Sequence, residues 1–379
     1  MINPTATPLF KHMDCIKDPR HHNTRHLLYD MLMIALCASI SGADSWTQVA
    51  EYGRSKLPWF KEFLNLPNGI PSHDTFGRLF AKLDPKGFQN FFTRWVQDIS
   101  ESLKGKTVSL DGKTLRGSHD RANGKNAIHM VSAWASDINL VLGQLKTDDK
   151  SNEINAIPEL IKTLALEGAI ITIDAIGCQK KITHTIIEEK ADYVIQVKNN
   201  QKRLLQDIEL FFKDPANGPF DSFETIDGEH GRIETRRYFT TDDIDWLPGK
   251  HLWAGINTIA MAIRQRDVGG TVSTETAFFI SSLENHAQTI SKAIRNHWGI
   301  ENGLHWCLDI SFREDHCRVR KDYAPENFGI LRHMAINLLK REKSINGGIQ
   351  TKRLKAAWDR NYLLKILSTW FLHAIALEN

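Results

Sequence analysis

The chain has 379 residues, enough for two or three domains and a substantial core, and its 41% hydrophobic and 25% charged composition excludes disorder as the default state. A formal net charge of only +3 announces no polyanion partner, so any nucleic acid must be held by local basic patches. Five cysteines, Cys15, Cys37, Cys178, Cys307 and Cys317, are scattered without a CxxC pair and read as reduced thiols rather than as a disulfide framework.

The apolar run LLYDMLMIALCASISG at 27 to 42 is broken by Asp30 and falls short of the ~20 residues that span a bilayer. The first residues carry Lys11, Asp14 and Lys17 with no signal-peptide pattern. A soluble cytoplasmic protein without a membrane partner is therefore expected. The polar leader mixes Lys, Arg and His in KDPRHHNTRH at 17 to 26, which reads as a solvated arm or as one lying on phosphates.

From Arg25 to about Gly105 the apolar period is helical: one apolar helix at 25 to 41, then SWTQVAEYGRS, SKLPWFKEFLNL, PSHDTFGRLFAKL and DPKGFQNFFTRWVQDISESL. Ser72 and Asp84 are expected N-caps. Residues 1–105 form an expected N-terminal helical domain, and short helices around a turn, the later one opening on Ser72, His73 and Thr75, fit a DNA-reading helix-turn-helix or a plain bundle.

At Lys106 the pattern changes. TVSLDGKTLRGS (107 to 118) alternates like a strand, and AIHMVSAWASDINLVLGQLKT (127 to 147) reads as a hairpin turning at Asp137-Ile138-Asn139. A helix, NEINAIPELIKTLALEG, leads to the buried strand AIITIDAIGCQ at 169 to 179, followed by helix KKITHTIIEEK, strand DYVIQVK and helix NNQKRLLQDIELFF. Residues 106–212 thus predict the first part of a mixed α/β sheet, and neither G-x-G-x-x-G nor a P-loop is present. Residues 213–282 read as a β-rich insertion of two hairpins, turning at Asp227-Gly228 and at Gly269-Gly270. Residues 283–345 return to the core, with a helix capped by Asn285 and then APENFGILRHMAINLLKRE; residues 346–379 are a C-terminal amphipathic helical segment.

In IRNHWGIENGLHWCLDISFRED (294 to 315), Ile290, Ile294, Trp298, Leu304 and Leu308 line one face at helical spacing, and Glu301 falls inside it. A carboxylate there needs a partner. His297 and His305, one turn either side, could satisfy it structurally or make a zinc face, although the HExxH spacing is absent. Asp111, before Gly112 at the end of the first strand, and Asp174, at the end of an Ile- and Ala-rich strand, are positioned to converge with it; each alone also reads as a turn or cap residue. Three carboxylates without a thiolate describe a site for hard cations, Mg²⁺ or Mn²⁺, and can hold two ions about 3.5 to 4 Å apart for phosphodiester chemistry.

LDGKTLRGS, IDAIGCQ, DYVIQVKNNQKRL, EHGRIETRRY and IRNHWGIENGLHWCLDISFRED, in this order, resemble the insertion-sequence transposases of DDE type, in the branch of the H-repeat-associated proteins of Rhs elements. The N-terminal DPRHHNTRHLLYDMLMIALCASISGADSW extends the resemblance over nearly the whole chain. It implies an RNase H-like catalytic core interrupted by a β insertion, with Asp111, Asp174 and Glu301 binding two Mg²⁺ or Mn²⁺ ions. It implies hydrolysis at the element's ends and attack of the freed 3′-hydroxyl on target DNA, by a protein that is a homodimer on double-stranded DNA and nucleoid-associated when active.

Related transposases carry Y-R-x-R-W-x-I-E on the glutamate helix and a Lys seven residues after the Glu. Here Ile294 stands for Tyr, His297 for the second Arg and Leu308 for Lys, while Arg295 and Trp298 are kept. Lys113, Arg116, Lys198, Gln201, Arg232, Arg236, Arg295, His297, Trp298, Arg318, Arg320 and Lys321 are the expected DNA contacts. A DNA-binding relative without activity and a general RNase H-like nuclease are the competing readings.

Overall fold

α1, Leu28–Ile40, is apolar around its whole circumference and is buried along nearly its whole length. Its one acid, Asp30, is satisfied by the Leu66 amide at 2.9 Å, and burial pushes its carboxyl above the usual range. The computed structural model describes residues 11–20, 24–119, 124–147, 153–229 and 231–368; part of the basic arm at 17 to 26, His230 and the end of the C-terminal segment lie outside them.

α2, Trp46–Ser55, follows, capped by Ser45. α3, Leu57–Phe60, is a single turn where a full helix was expected: the chain leaves the helical path to bring Leu66, at φ 40°, onto Asp30. α4, His73–Lys82, and α5, Pro85–Ile99, start at the expected caps, with Ser72 accepting from the Thr75 amide and Asp84 from the Lys86 and Gly87 amides.

The remaining elements alternate. β1 (Thr107–Thr114), β2 (His129–Ala135) and β3 (Leu140–Thr147) are followed by α6 (Glu153–Thr163), β4 (Ile170–Ile173), α7 (Lys180–Glu188), β5 (Asp192–Val197) and α8 (Lys202–Lys213). Then come β6 (Asp221–Glu229), β7 (Arg232–Thr241), β8 (Thr258–Val268) and β9 (Thr271–Ser281). The helices α9 (Ala287–His297), α10 (Trp306–Ile310), α11 (Ala324–Arg341), α12 (Ile349–Trp358) and α13 (Arg360–Ser368) complete the order.

The nine strands among the described residues join one sheet in the order β3-β2-β1-β4-β5-β9-β8-β7-β6, with β1, β4 and β5 parallel and the other neighbours antiparallel. Its first five strands have the expected RNase H-like arrangement, and β9 pairs with β5, so the β-rich stretch prolongs the same sheet. On one face α9 sets Ile290 and Ala293 on Ile170, Val194, Ala260 and Phe279. On the other, Phe212 of α8 stacks on Phe278, the strand neighbour of Phe279, so the two helices sandwich the sheet.

One turn and one helix cap differ from the sequence reading. Asp227 and Gly228 are paired strand residues, opposite Glu234 and Ile233, and the hairpin reverses past Glu229, where Gly231 supplies φ 73°. α9 is capped by His286, whose ring accepts from the Thr289 amide, and not by Asn285, which accepts from the Thr240 hydroxyl. Among the described residues no helix is long and apolar enough to cross a membrane.

Candidate active site and nucleic-acid interface

β1 pairs with β4 only from Thr107 to Leu110, the last rung being Leu110 opposite Ile173. Asp111 and Asp174 are the next residue on each strand, so both sit where the two strands part. Asp111 is not at the end of β1 as a whole, because β1 continues to Thr114 against β2. Asp174 caps a short 3-10 turn, its Oδ1 accepting from the Ile176 amide at 3.0 Å.

The third acid arrives on α9 and the turns that prolong it. Asn296 ties this helix to the sheet: its carbonyl accepts from Ser109 and Ser136, and its amide donates to Thr107. Beyond it Gly299 and Gly303 lie against β2; a Cβ on Gly299 would meet Ser136 at 2.6 Å and one on Gly303 the Trp134 ring at 3.0 Å. The two glycines, one turn apart, are a helix-packing signal that the sequence reading passed over.

The helix is interrupted at Trp298, just before the first of them, resumes at Gly299 and rewinds as a π turn from Glu301 to His305, which includes the second. This changes the phase of the buried stripe, which runs through Ile290, Ile300, Leu304 and Leu308, while Trp298 is exposed. Glu301 is consequently not in the apolar face, as its spacing suggested; its side chain is 55% exposed at the mouth of the site.

His305, at the end of the π turn, is buried. Its Nδ1 lies 3.4 Å from Asp111 Oδ2 and 3.7 Å from Glu301 Oε2. Among the described residues Asp111, Glu301 and His305 form a set whose ligand atoms all fall within 4.8 Å of one another, and Asp174 is not part of it. Burial pushes the Asp111 carboxyl up to about 7, against the His305 imidazole and with help from the Glu301 and Asp174 charges. The contact to His305 holds Glu301 below the usual range. Carboxylate oxygens with one imidazole fit a divalent cation, and a buried acid opposed by two others is an arrangement that such an ion relieves.

His297 does not share this set. Its Nδ1 contacts the Thr172 hydroxyl at 3.2 Å, and burial lowers its pKa against the nearby Asp174 and Glu301 charges. The face of His297, Glu301 and His305 considered for zinc is therefore not formed, and the half-buried His297 is engaged through Nδ1 by Thr172.

Several expected phosphate contacts are occupied. Lys113, on the same face of β1 as Asp111, is buried against Asp309, Glu314 and Asp315 at 2.7, 3.5 and 3.1 Å. Burial would lower its pKa, but the Glu314, Asp309 and Asp315 carboxylates raise it, which gives Asp309 a role the sequence left unassigned. Gln201 donates to the Cys178 carbonyl. Arg236 is buried between Asp227 and Glu234. Arg236→Ala should accordingly destabilise the fold by about 3 kcal/mol, by leaving Glu234 short of a buried partner, without changing the salt dependence of DNA binding. Urea unfolding and binding at several salt concentrations check both halves.

Arg116, Lys198, Arg232, Arg295, Arg318 and Lys321 are exposed, and Arg320 is partly buried with its Nε donating to the Gly117 carbonyl. The last three line a cleft of about 1070 Å³ between the N-terminal helices and the segment after α10, with His73, Arg78 and Lys125 opposite. An adjoining cleft of about 750 Å³ shares Lys125 and Arg320 and adds Lys82 and Lys146. Sequence reasoning weighed α4 as a DNA-reading helix opening at His73 but did not name Arg78, Lys82 or Lys125, which belong to no common motif and meet only in the fold.

Residues 102–338 match the family described as "Transposase DDE domain", and residues 10–96 match "DDE_Tnp_1-associated". The chain is 39% identical over 368 residues to the "H repeat-associated putative transposase YhhI" of Escherichia coli K12, covering 95% of this chain and 97% of that one. It is equally similar, at 39% over 95% of its length and 94% of the relative's, to the "Putative transposase YncI" of Escherichia coli O157:H7. A piggyBac transposase synaptic complex with hairpin DNA aligns over 99% of this chain and 82% of its own at TM-score 0.42 and 12% identity, too distant to bear on this chain. With the family match spanning most of the sheet and the relatives nearly all of the sequence, the chain belongs to the DDE transposases, in the branch of the H-repeat-associated transposases.

Proposed function

We propose that this transposase binds double-stranded DNA as a homodimer, hydrolyses a phosphodiester at the ends of its element, and joins the freed 3′-hydroxyl to target DNA, using two Mg²⁺ or Mn²⁺ ions held by Asp111, Asp174 and Glu301. What supports the reading is the meeting of Asp111 with Glu301 beside Asp174, where β1 and β4 part. Divalent ions at such a site activate a water or hydroxyl and stabilise the leaving oxygen. The chain's own contribution is positional. Asp111 gives up a proton that burial makes it hold, and Glu301 faces solvent where a strand can reach it. The attacking oxygen bonds to phosphorus as the 3′-oxygen leaves; in the second step that 3′-oxygen attacks and a target oxygen leaves.

The basic cleft is the proposed seat of the DNA backbone. Lys125→Ala with Arg318→Ala should weaken binding uniformly across sequences and reduce the slope of log K against log salt by roughly 2. An unchanged slope removes the cleft from the interface.

The test of the function is metal-dependent nicking of a labelled duplex carrying the element's inverted repeats. The wild type should nick at the ends and transfer strands, and Asp174→Ala should lose at least about 100-fold in rate with DNA binding intact. Cutting without regard to end sequence would make the protein a general nuclease. Binding without nicking would make it a DNA-binding relative, and a wild-type rate in the variant would remove Asp174 from the site.

A further inference from the structure

His305 is placed as a reacting centre places a ligand rather than as a core places a hydrogen-bonded histidine. Its side chain is 7% exposed, yet its Nε2 is buried without a partner and its Nδ1 approaches two carboxylate oxygens, at 3.4 and 3.7 Å. Charge-assisted hydrogen bonds close to about 2.8 Å, and both gaps are well beyond that. They lie a little above the roughly 3 Å that separates adjacent ligands on an octahedral ion with bonds near 2.1 Å, a gap that an ion would close by drawing the three side chains in. The π turn creates this arrangement, because it brings Glu301 and His305 from one stretch of helix over Asp111 together.

We propose that His305 Nδ1 is the third protein ligand of one of the two ions, beside Asp111 and Glu301, and that this nitrogen makes the position favour Mn²⁺ over Mg²⁺. Imidazole suits transition ions, whereas Mg²⁺ takes oxygen and holds its waters. Asp174, outside the set, is then left to the second ion. The Lys113 cluster does not compete for the first: its three acids are already engaged by an ammonium. The inference rests on the metal-dependent function proposed above and adds to it which cation the site selects and by which atom.

The test uses the full metal-free chain titrated with Mn²⁺, with pulsed electron paramagnetic resonance to detect a nitrogen bonded to the ion. Bound Mn²⁺ in the wild type should show nitrogen modulation. His305→Ala should lose that signal and bind Mn²⁺ at least about 10-fold more weakly, while Mg²⁺ affinity, measured by competition, changes less than about 3-fold. His305→Gln, which restores an oxygen donor, should move the preference toward Mg²⁺. Bound Mn²⁺ without a nitrogen signal in the wild type overturns the proposal whatever the variants do, and so does a signal that persists in His305→Ala. Failure of the wild type to bind either ion would instead overturn the metal-dependent function itself, and this proposal with it.

Discussion

Asp111→Asn is expected to lose metal-dependent nicking by three orders of magnitude or more, roughly 4 kcal/mol of barrier, while making the metal-free protein more stable at neutral and alkaline pH. The two effects have one cause. Asp111 is a half-buried carboxyl with Glu301 and Asp174 nearby, and its pKa rises from an ordinary 3.8 to about 7. Below pH 4 the folded and unfolded chains both hold its proton, so it contributes nothing. Between pH 4 and 7 the unfolded chain releases the proton and the folded chain keeps it, so stability falls as pH rises. Above about 7 the loss is complete, on the order of a few kcal/mol. Asparagine has no proton to lose, so the two proteins should have urea midpoints that agree at pH 4 and diverge up to pH 8 in the presence of a chelator. Parallel midpoints would show that Asp111 is not strained, and the argument for a cation at this point would lose its electrostatic half.

The same strain explains how the site is assembled. A sheet interior supplies rigidity but excludes charge, and β1 and β4 supply both by pairing up to Leu110 and Ile173 and parting one residue later. The helix that carries Glu301 then lies on the face of β1 shared by Thr107, Ser109 and Asp111, held by Asn296 and brought close by Gly299 and Gly303. A carboxylate brought in on a separate element can be exposed while those at the strand ends are half-buried.

Much of this was legible in the sequence because it depends on local signals. The Gly269-Gly270 turn, the Ser72 and Asp84 caps and the polar residues interrupting apolar strands at Asp111 and Asp174 all appear within a few residues of the feature they specify. The face of Glu301 was misread because a regular helical period was carried through Trp298, and a π turn leaves the sequence period without a mark. Arg236 and Lys113 were misread for a different reason. Whether a cation is free depends on acids that pairing across strands or a distant loop brings to it, Asp227 and Glu234 in one case and Asp309, Glu314 and Asp315 in the other. Gly231 was passed over for Gly228 because both follow an acid-rich step and only register distinguishes them.

Gly117→Ala should destabilise the protein by about 3 kcal/mol, more than its small size suggests. Gly117 is buried in the turn Arg116–Ser118 that follows β1, and a Cβ there would run into the carbonyl oxygens of Cys317 and Asp315. Those are backbone atoms and cannot swing aside as a side chain would. The opposing segment carries Asp315, which pairs with Lys113, and Arg320, which donates to the Gly117 carbonyl at 3.0 Å. Pushing it away therefore disturbs the acid cluster beside Asp111 and the basic cleft together. Gly228→Ala is the control, since nothing lies within 4 Å of a Cβ at that strand position and the change there should be within about 0.5 kcal/mol of neutral. Urea unfolding of both variants decides the matter: equal midpoints would mean that the segment after α10 yields freely, and that the strand carrying Asp111 and the cleft are not mechanically joined at Gly117.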